Sequence, residues 1–266
     1  MLTDADIARL AQQSELDRPS IVVASLVPHV TEATYRPRRP LYPASMIKVP
    51  LVAAGLIMRN QRRIGDGKIV IAASSVTSND APSPMREGYV ANFEELCELA
   101  ITRSDNVATN ALFDLLGREA ASEVARAELG LSATGFRRKL SGGHPLVRDA
   151  EQSGRNTHPA ADSARLFSTI ARREFEGADF LETLLQRQEW NSKLPAGLES
   201  GDRFAHKTGD TEDVSHDGGI LTTARGARYI VVVYSASPSG DDTDRRFAAL
   251  MRALREELEA RAPRTT

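Results

Sequence analysis

The chain opens on an amphipathic stretch. Residues 2–10 run Leu-Thr-Asp-Ala-Asp-Ile-Ala-Arg-Leu, which predicts an Asp-capped helix. Residues 20–26 form a β-branched run, the pattern of a strand. From residue 45 to about 188 the apolar positions recur mostly at helical spacing, with stretches at 46–59, 93–102 and 107–116. Turn-rich breaks interrupt this section at 74–88 and 141–156. Residues 206–208, 218–223 and 229–235 predict three strands, with Ala224-Arg225-Gly226-Ala227 as a hairpin turn. Residues 241–261 predict a long helix, with Phe247, Leu250, Met251, Leu254 and Leu258 on one face. Strands at both ends around a helical middle imply an α/β fold: one antiparallel sheet built from both termini, flanked by helices, with an inserted all-helical subdomain. The boundaries expected are 1–42 and 190–266 for the α/β part and 43–189 for the helical part, the two forming one compact unit.

Composition narrows the class. A chain of 266 residues is long enough to bury a large core. The formal charge of −2 and the scattered arginines leave no footprint for nucleic acid. The one near-cluster, Arg36-Pro37-Arg38-Arg39-Pro40, reads as an extended linker. Cys97, the single cysteine, lies on an apolar helix face and reads as a buried structural thiol. The five histidines are not at ligand spacing, so no metal and no other cofactor is expected. No stretch has the length of a membrane span. No basic segment followed by an apolar one opens the chain, so the compartment is read as cytoplasmic, or as periplasmic or secreted with a leader removed. A monomer is expected.

The chemistry sits in three short motifs, in this order: Ser45-Met46-Ile47-Lys48, Ser104-Asp105-Asn106 and Lys207-Thr208-Gly209. Ser45 follows Tyr42-Pro43-Ala44 and precedes a helical run, which puts it in a first helical turn, where free backbone N–H groups stabilise negative charge. Lys48 falls one turn later on the same face. A lysine can take the serine proton only when neutral, a state that burial and neighbouring cations favour. Taken alone, this pair is also what a helix cap and a solvated lysine look like. Ser104-Asp105-Asn106 lies between two helical stretches and doubles as a helix cap. Around Lys207, the alternation Phe204-Ala205-His206-Lys207 suits an edge strand, and Gly209 permits close approach of another backbone; an exposed β-turn is the alternative.

In this order the three motifs resemble those of the penicillin-recognising serine enzymes, the class A β-lactamases and the penicillin-binding transpeptidases and carboxypeptidases. The resemblance spans roughly residues 20–260 and includes Glu95-Leu96-Cys97 through Ala108-Thr109-Asn110. It implies Ser45 as nucleophile and Lys48 as its base, Ser104 as the shuttle that carries a proton to the leaving nitrogen, and Asn106 as the group that orients the substrate amide and Lys48. It further implies that Lys207 lends positive charge and that Thr208 binds a substrate carboxylate. The N–H groups of Asp210 and Ser45 would form the oxyanion hole. The partner implied is a small acyl substrate: a β-lactam, a peptide or an ester.

Two departures matter. The family's Glu-x-x-Leu-Asn motif, whose glutamate activates the water for acyl-enzyme release, is missing from 137–151. Gap-free counting back from Thr157-His158-Pro159 puts the glutamate's place near Gly143. His144 is adjacent and could serve as base, though it also reads as a surface turn histidine; Glu151 is the other candidate. Second, His216 falls where many class A enzymes supply an arginine for the substrate carboxylate, and Glu212, Asp213 and Asp217 crowd around it. The expectation is a β-lactamase-like serine hydrolase with slow deacylation. The alternatives are a carboxypeptidase or esterase of the penicillin-binding type, or a penicillin-interactive binding module without turnover.

Overall fold

The computed structural model describes residues 2–26, 31–143 and 146–261. In chain order the elements are α1 (Asp4–Gln13), β1 (Ser20–Ser25), β2 (Thr31–Tyr35), α2 (Lys48–Asn60), β3 (Ile69–Val70), β4 (Val90–Ala91), α3 (Phe93–Thr102), α4 (Asn106–Leu116) and α5 (Arg118–Ala127). They continue with α6 (Ala160–Ala171), α7 (Ala178–Gln186), β5 (Arg203–Asp210), β6 (Ser215–Thr222), β7 (Arg228–Ser235) and α8 (Asp241–Ala260). Short 3-10 turns occupy Ala44–Ile47, Ala73–Ser75 and Leu194–Gly197. The chain divides into two compact units, one of 1–46, 159–168 and 190–266, the other of 47–158 and 169–189. Residues 43–46 and 159–168 thus group with the sheet.

The first unit holds the five-stranded antiparallel sheet, in the order β2-β1-β7-β6-β5. Strands from both ends of the chain build it, as the sequence pattern implied. Alternation sends Ile21, Val23, Phe204, Leu221, Val231 and Val233 to one face, where they pack with Ile7 and Leu10 of α1 and Phe247, Leu250, Met251 and Leu254 of α8. Helix α1 is capped by Thr3 and not by an aspartate: Asp6 N–H donates to Thr3 Oγ1, and Thr3 N–H donates to the Asp6 carboxylate at 2.9 Å. Strand β2 has no counterpart in the sequence reading, because its five residues, Thr-Glu-Ala-Thr-Tyr, lack an apolar run.

The second unit is mainly helical, with α2 at its centre, buried from Lys48 to Met58. It is not all-helical: β3 and β4 pair as a ribbon of two residues each. Its core forms because α3 and α4 carry apolar faces such as Leu96, Ala100, Val107, Ala111 and Leu112. Asn92 and Asp105 cap these two helices, accepting from Glu95 N–H and Ala108 N–H. Among the described residues no helix is long and apolar enough to cross a membrane.

Candidate active site

In the sheet unit, Ser45 lies in the 3-10 turn Ala44–Ile47, just ahead of α2, and is partly exposed. The turn is entered through Ala44 at φ +46°, a left-handed conformation costly for a residue with a side chain. Two contacts press the segment onto the sheet. A side chain at Gly209 would come within about 3 Å of Pro43 O and of Met46 N and Cγ, so any other residue would have to push these atoms back by a few tenths of an ångström. From the neighbouring strand, His216 Nε2 donates to the Tyr42 carbonyl at 2.7 Å.

Strand β5 lies at the sheet edge, and its hydrogen-bond phase can be read off the hairpin. Thr211 N–H donates to Val214 O at 2.9 Å, and Asp210 is paired with Ser215. In an antiparallel ladder, bonded and non-bonded pairs alternate. Asp210 and Thr208 therefore turn their N–H and C=O groups to the free edge of the sheet. Lys207, fully buried, donates from Nζ to the Thr208 carbonyl at 2.9 Å. Ser45, Lys207, Thr208 and the Asp210 N–H thus belong to one unit.

In the helical unit, Lys48 is the first residue of α2 and fully buried. Its Nζ donates to the Ser104 carbonyl, to Ser104 Oγ at 3.0 Å and to Asn106 Oδ1 at 2.8 Å. Three oxygens match the three hydrogens of an ammonium. Ser104 can present both its oxygens because its backbone is left-handed, at φ +58°. Asn106 is fixed in turn: its N–H meets Asn79 Oδ1 and its Nδ2 donates to Ser78 O at 3.1 Å. Lys48, Ser104 and Asn106, singled out by motif, stand together around one nitrogen.

The sequence as a whole matches the model of the beta-lactamase enzyme family over residues 3–258. The chain belongs to the beta-lactamase enzyme family. Solved structures agree on the fold. PBP-A, as a leucine-to-glutamate variant in an acyl-enzyme complex with penicillin G, is 23% identical with a TM-score of 0.83, covering 97% of this chain and 96% of that one. A beta-lactamase from Sphaerobacter thermophilus DSM 20745 is 22% identical, TM-score 0.81, covering 99% of both chains. A variant of the class A beta-lactamase of the last common ancestor of Gram-negative bacteria is 25% identical, TM-score 0.77, covering 94% of this chain and 96% of that one. No curated protein matches the sequence. The protein is a β-lactamase-like serine hydrolase.

Against this β-lactamase frame, several expected placements change. His216 is not a substrate contact. It is fully buried, stacked on Tyr234 with ring centroids 4.1 Å apart, and both nitrogens are used: Nε2 at Tyr42 O, and Nδ1 between the Ser215 carbonyl at 2.7 Å and the Ser235 N–H at 3.2 Å. Burial pushes its pKa down to about 4, so the ring is neutral, and its Nε2–H donates to the Tyr42 carbonyl. The crowd of acids also thins out. Asp217 is fully buried against His206 Nδ1 at 2.7 Å and Leu194 N–H at 3.0 Å, and Asp210 is ion-paired with Lys193. Glu212 and Asp213 remain exposed.

The loop candidates separate as well. Glu151 is 75% exposed and paired with Arg118, which also pairs with Asp149, whose side chain is buried. Arg118, at the start of α5, holds both carboxylates, with its guanidinium also over the Phe113 ring. Glu151 is thus engaged by Arg118, whereas Lys48 Nζ is held by Ser104 and Asn106. His144 lies outside the described residues. Gly143 has φ +142°, where a glutamate would be strained. Leu140, three residues earlier, is anchored at both backbone atoms: its N–H donates to Asn110 Oδ1 at 2.8 Å, and Asn110 Nδ2 donates to its carbonyl at 2.9 Å. Asn110 lies one turn beyond Asn106 on the same face of α4. That spacing of two asparagines, four apart on a helix with an apolar face, was the available sequence signal for Asn110. Leu140 carried none.

Proposed function

We propose that the chain transfers acyl groups through an acyl-Ser45 intermediate and releases them slowly, with a β-lactam or a related amide or ester as donor. The observation that carries this reading is the clamp on Lys48 Nζ by Ser104 and Asn106, three residues along the chain from Ser45. Ser45 Oγ bonds to the acyl carbon as its proton passes to Lys48, which must first shed one of its own. The bond from acyl carbon to leaving nitrogen breaks as Ser104 Oγ, in contact with Lys48, hands a proton to that nitrogen. The N–H groups of Ser45 and Asp210 hold the oxygen that becomes negative. Lys207 and Thr208 attract the donor's anionic or polar end, and the second amide hydrogen of Asn106 orients its amide.

Release needs water and a base. The anchored stretch of loop, 139–143, offers no carboxylate, and the residue clipped to Asn110, one turn from Asn106, is the apolar Leu140. General-base help is worth about 10²–10⁴-fold, and its lack supports a long-lived acyl-enzyme. The same feature favours, as second reading, a penicillin-binding carboxypeptidase or esterase. Intact-mass analysis over time with benzylpenicillin decides. A one-to-one adduct on the unmodified protein that persists for many minutes is expected, with none on Ser45→Ala. An adduct surviving in Ser45→Ala, or rapid penicillin loss without an adduct, would overturn the proposal.

A further inference from the structure

Behind the edge strand, on the face covered by α8, lies a buried cation that no motif includes. Lys193 precedes the 3-10 turn Leu194–Gly197 and has a side chain only 4% exposed. Its Nζ donates to Asp210 Oδ1 at 2.6 Å, to Asp210 Oδ2, and to the His216 carbonyl at 3.3 Å. It also stands 5.8 Å from the centre of the Phe247 ring. Asp210 Oδ1 receives a further bond, from Ser215 Oγ at 2.7 Å. Desolvating an ammonium is costly and needs full compensation. Here the compensation consists of one carboxylate, one carbonyl and one aromatic face, all converging on the last residues of the β5–β6 hairpin.

Asp210 faces two ways. Its carboxylate is held on the covered face by Lys193 and Ser215, so it cannot swing toward a substrate. Its N–H, by the ladder phase derived above, points off the free edge. Fixing the carboxylate fixes the peptide plane at the strand's end, where β5 has no further partner strand to restrain it. Lys193 also binds the carbonyl of His216, the residue paired with Gly209, and so ties both strands at the same point.

We propose that Lys193 is a positioning residue for acyl transfer, holding the Asp210 N–H at the angle an oxyanion requires. This rests on the reading of Asp210 N–H and Ser45 N–H as the oxyanion donors. A donor of this kind acts on charge that develops in the transition state, so its misplacement lowers the rate constant more than substrate binding.

The test compares 4-nitrophenyl acetate with its thionoacetate analogue, which puts sulfur, a weak hydrogen-bond acceptor, in place of the reacting oxygen. Rates are normalised to Ser45 sites titrated by mass. Loss of a whole oxyanion donor costs about 10²–10³-fold in kcat. Lys193→Met should lower the acylation rate constant for the oxygen ester about tenfold or more, with the ester concentration that half-saturates the acylation step itself within about twofold. It should lower the thiono ester rate far less, so the preference for oxygen narrows, and Lys193→Arg should restore part of it. If Lys193→Met does not fold, Asp210→Asn, which keeps its N–H and a carboxamide oxygen for Ser215, gives the same readout. Equal slowing of both esters, or no slowing, in the variant that folds would overturn the proposal while leaving acyl-Ser45 intact. No acylation of the unmodified protein at all would overturn the underlying reading of the site, and this proposal with it.

Discussion

A neutral imidazole inside a sheet makes His216 a staple, and the staple carries a pH signature. The ring holds the Tyr42 carbonyl, three residues before Ser45, from a position 174 residues away in the chain. Above about pH 6.5 the ring is neutral in both folded and unfolded chains, so burial carries no titration penalty. Below that, the unfolded ring takes up a proton that the folded ring refuses until about pH 4. Stability is therefore lost as pH falls from about 6.5 toward 4. The loss approaches 1.4 kcal/mol per pH unit, or about 2 kcal/mol between pH 6.5 and 5. His158, fully buried against Thr134 Oγ1 and pushed down to about 3, behaves in the same sense. His216→Gln keeps an N–H for Tyr42 and removes one titration. Urea unfolding at pH 7 and pH 5 should show a smaller pH-dependent loss for His216→Gln than for the unmodified protein. Equal losses in both would show that His216 already has an ordinary environment.

At the level of elements, the segment 139–143 is the part most open to redesign. Leu140 is clipped at both backbone atoms by Asn110, and Lys139 is anchored by its N–H to Asp149 and by its Nζ to Asp114 at 2.7 Å. A glutamate at 140 therefore enters a backbone already held in place, whereas one at 143 adds about 1–3 kcal/mol of left-handed strain. Leu140→Glu should shorten the benzylpenicilloyl adduct's lifetime at least tenfold, toward the range of general-base assistance. Gly143→Glu should leave it nearly unchanged. Leu140→Glu will also lower stability, since Leu140 is 6% exposed and a carboxylate there loses solvation. Lifetimes of intact adducts, followed by mass, are independent of that loss. A longer-lived adduct in Gly143→Glu than in Leu140→Glu is expected; the reverse order would return the base to position 143. This segment also shows where sequence stops being informative. The faces of α8 and the strands β5 to β7 follow from local periodicity, and Ser45 to Lys48 is a spacing within one turn. Strands β3 and β4, two residues each, are too short to produce a period. Leu140, His216 and Lys193 have duties set by partners 30, 174 and 17 positions away, which no local pattern records.

On the scale of the whole molecule, the chain's first residues and its last strands share one sheet. Strand β1 lies between β2 and β7, so the N-terminal segment supplies an interior strand of the sheet that carries Lys207. Helix α1 covers the same face as α8. Ile7, Leu10, Ile21, Val22 and Val23 are each at most 3% exposed. At about 1.5–3 kcal/mol for each large apolar side chain, these five alone contribute on the order of 10 kcal/mol, comparable to the entire net stability of a typical domain. Deleting residues 1–35 would remove them and leave the edge of β7 unpaired, a template for aggregation. The truncated chain should be insoluble and unlabelled by benzylpenicillin, although Lys48, Ser104 and Asn106 all remain in it. Co-expression of residues 1–40 as a separate peptide should recover soluble protein and a Ser45 adduct, because strand pairing and core burial do not require the covalent link. Soluble yield and adduct mass are the measurements. A truncated chain that stays soluble and acylates at the unmodified rate would mean that β5 to β7 and α8 are stable alone, and that the two ends of the chain do not build one sheet.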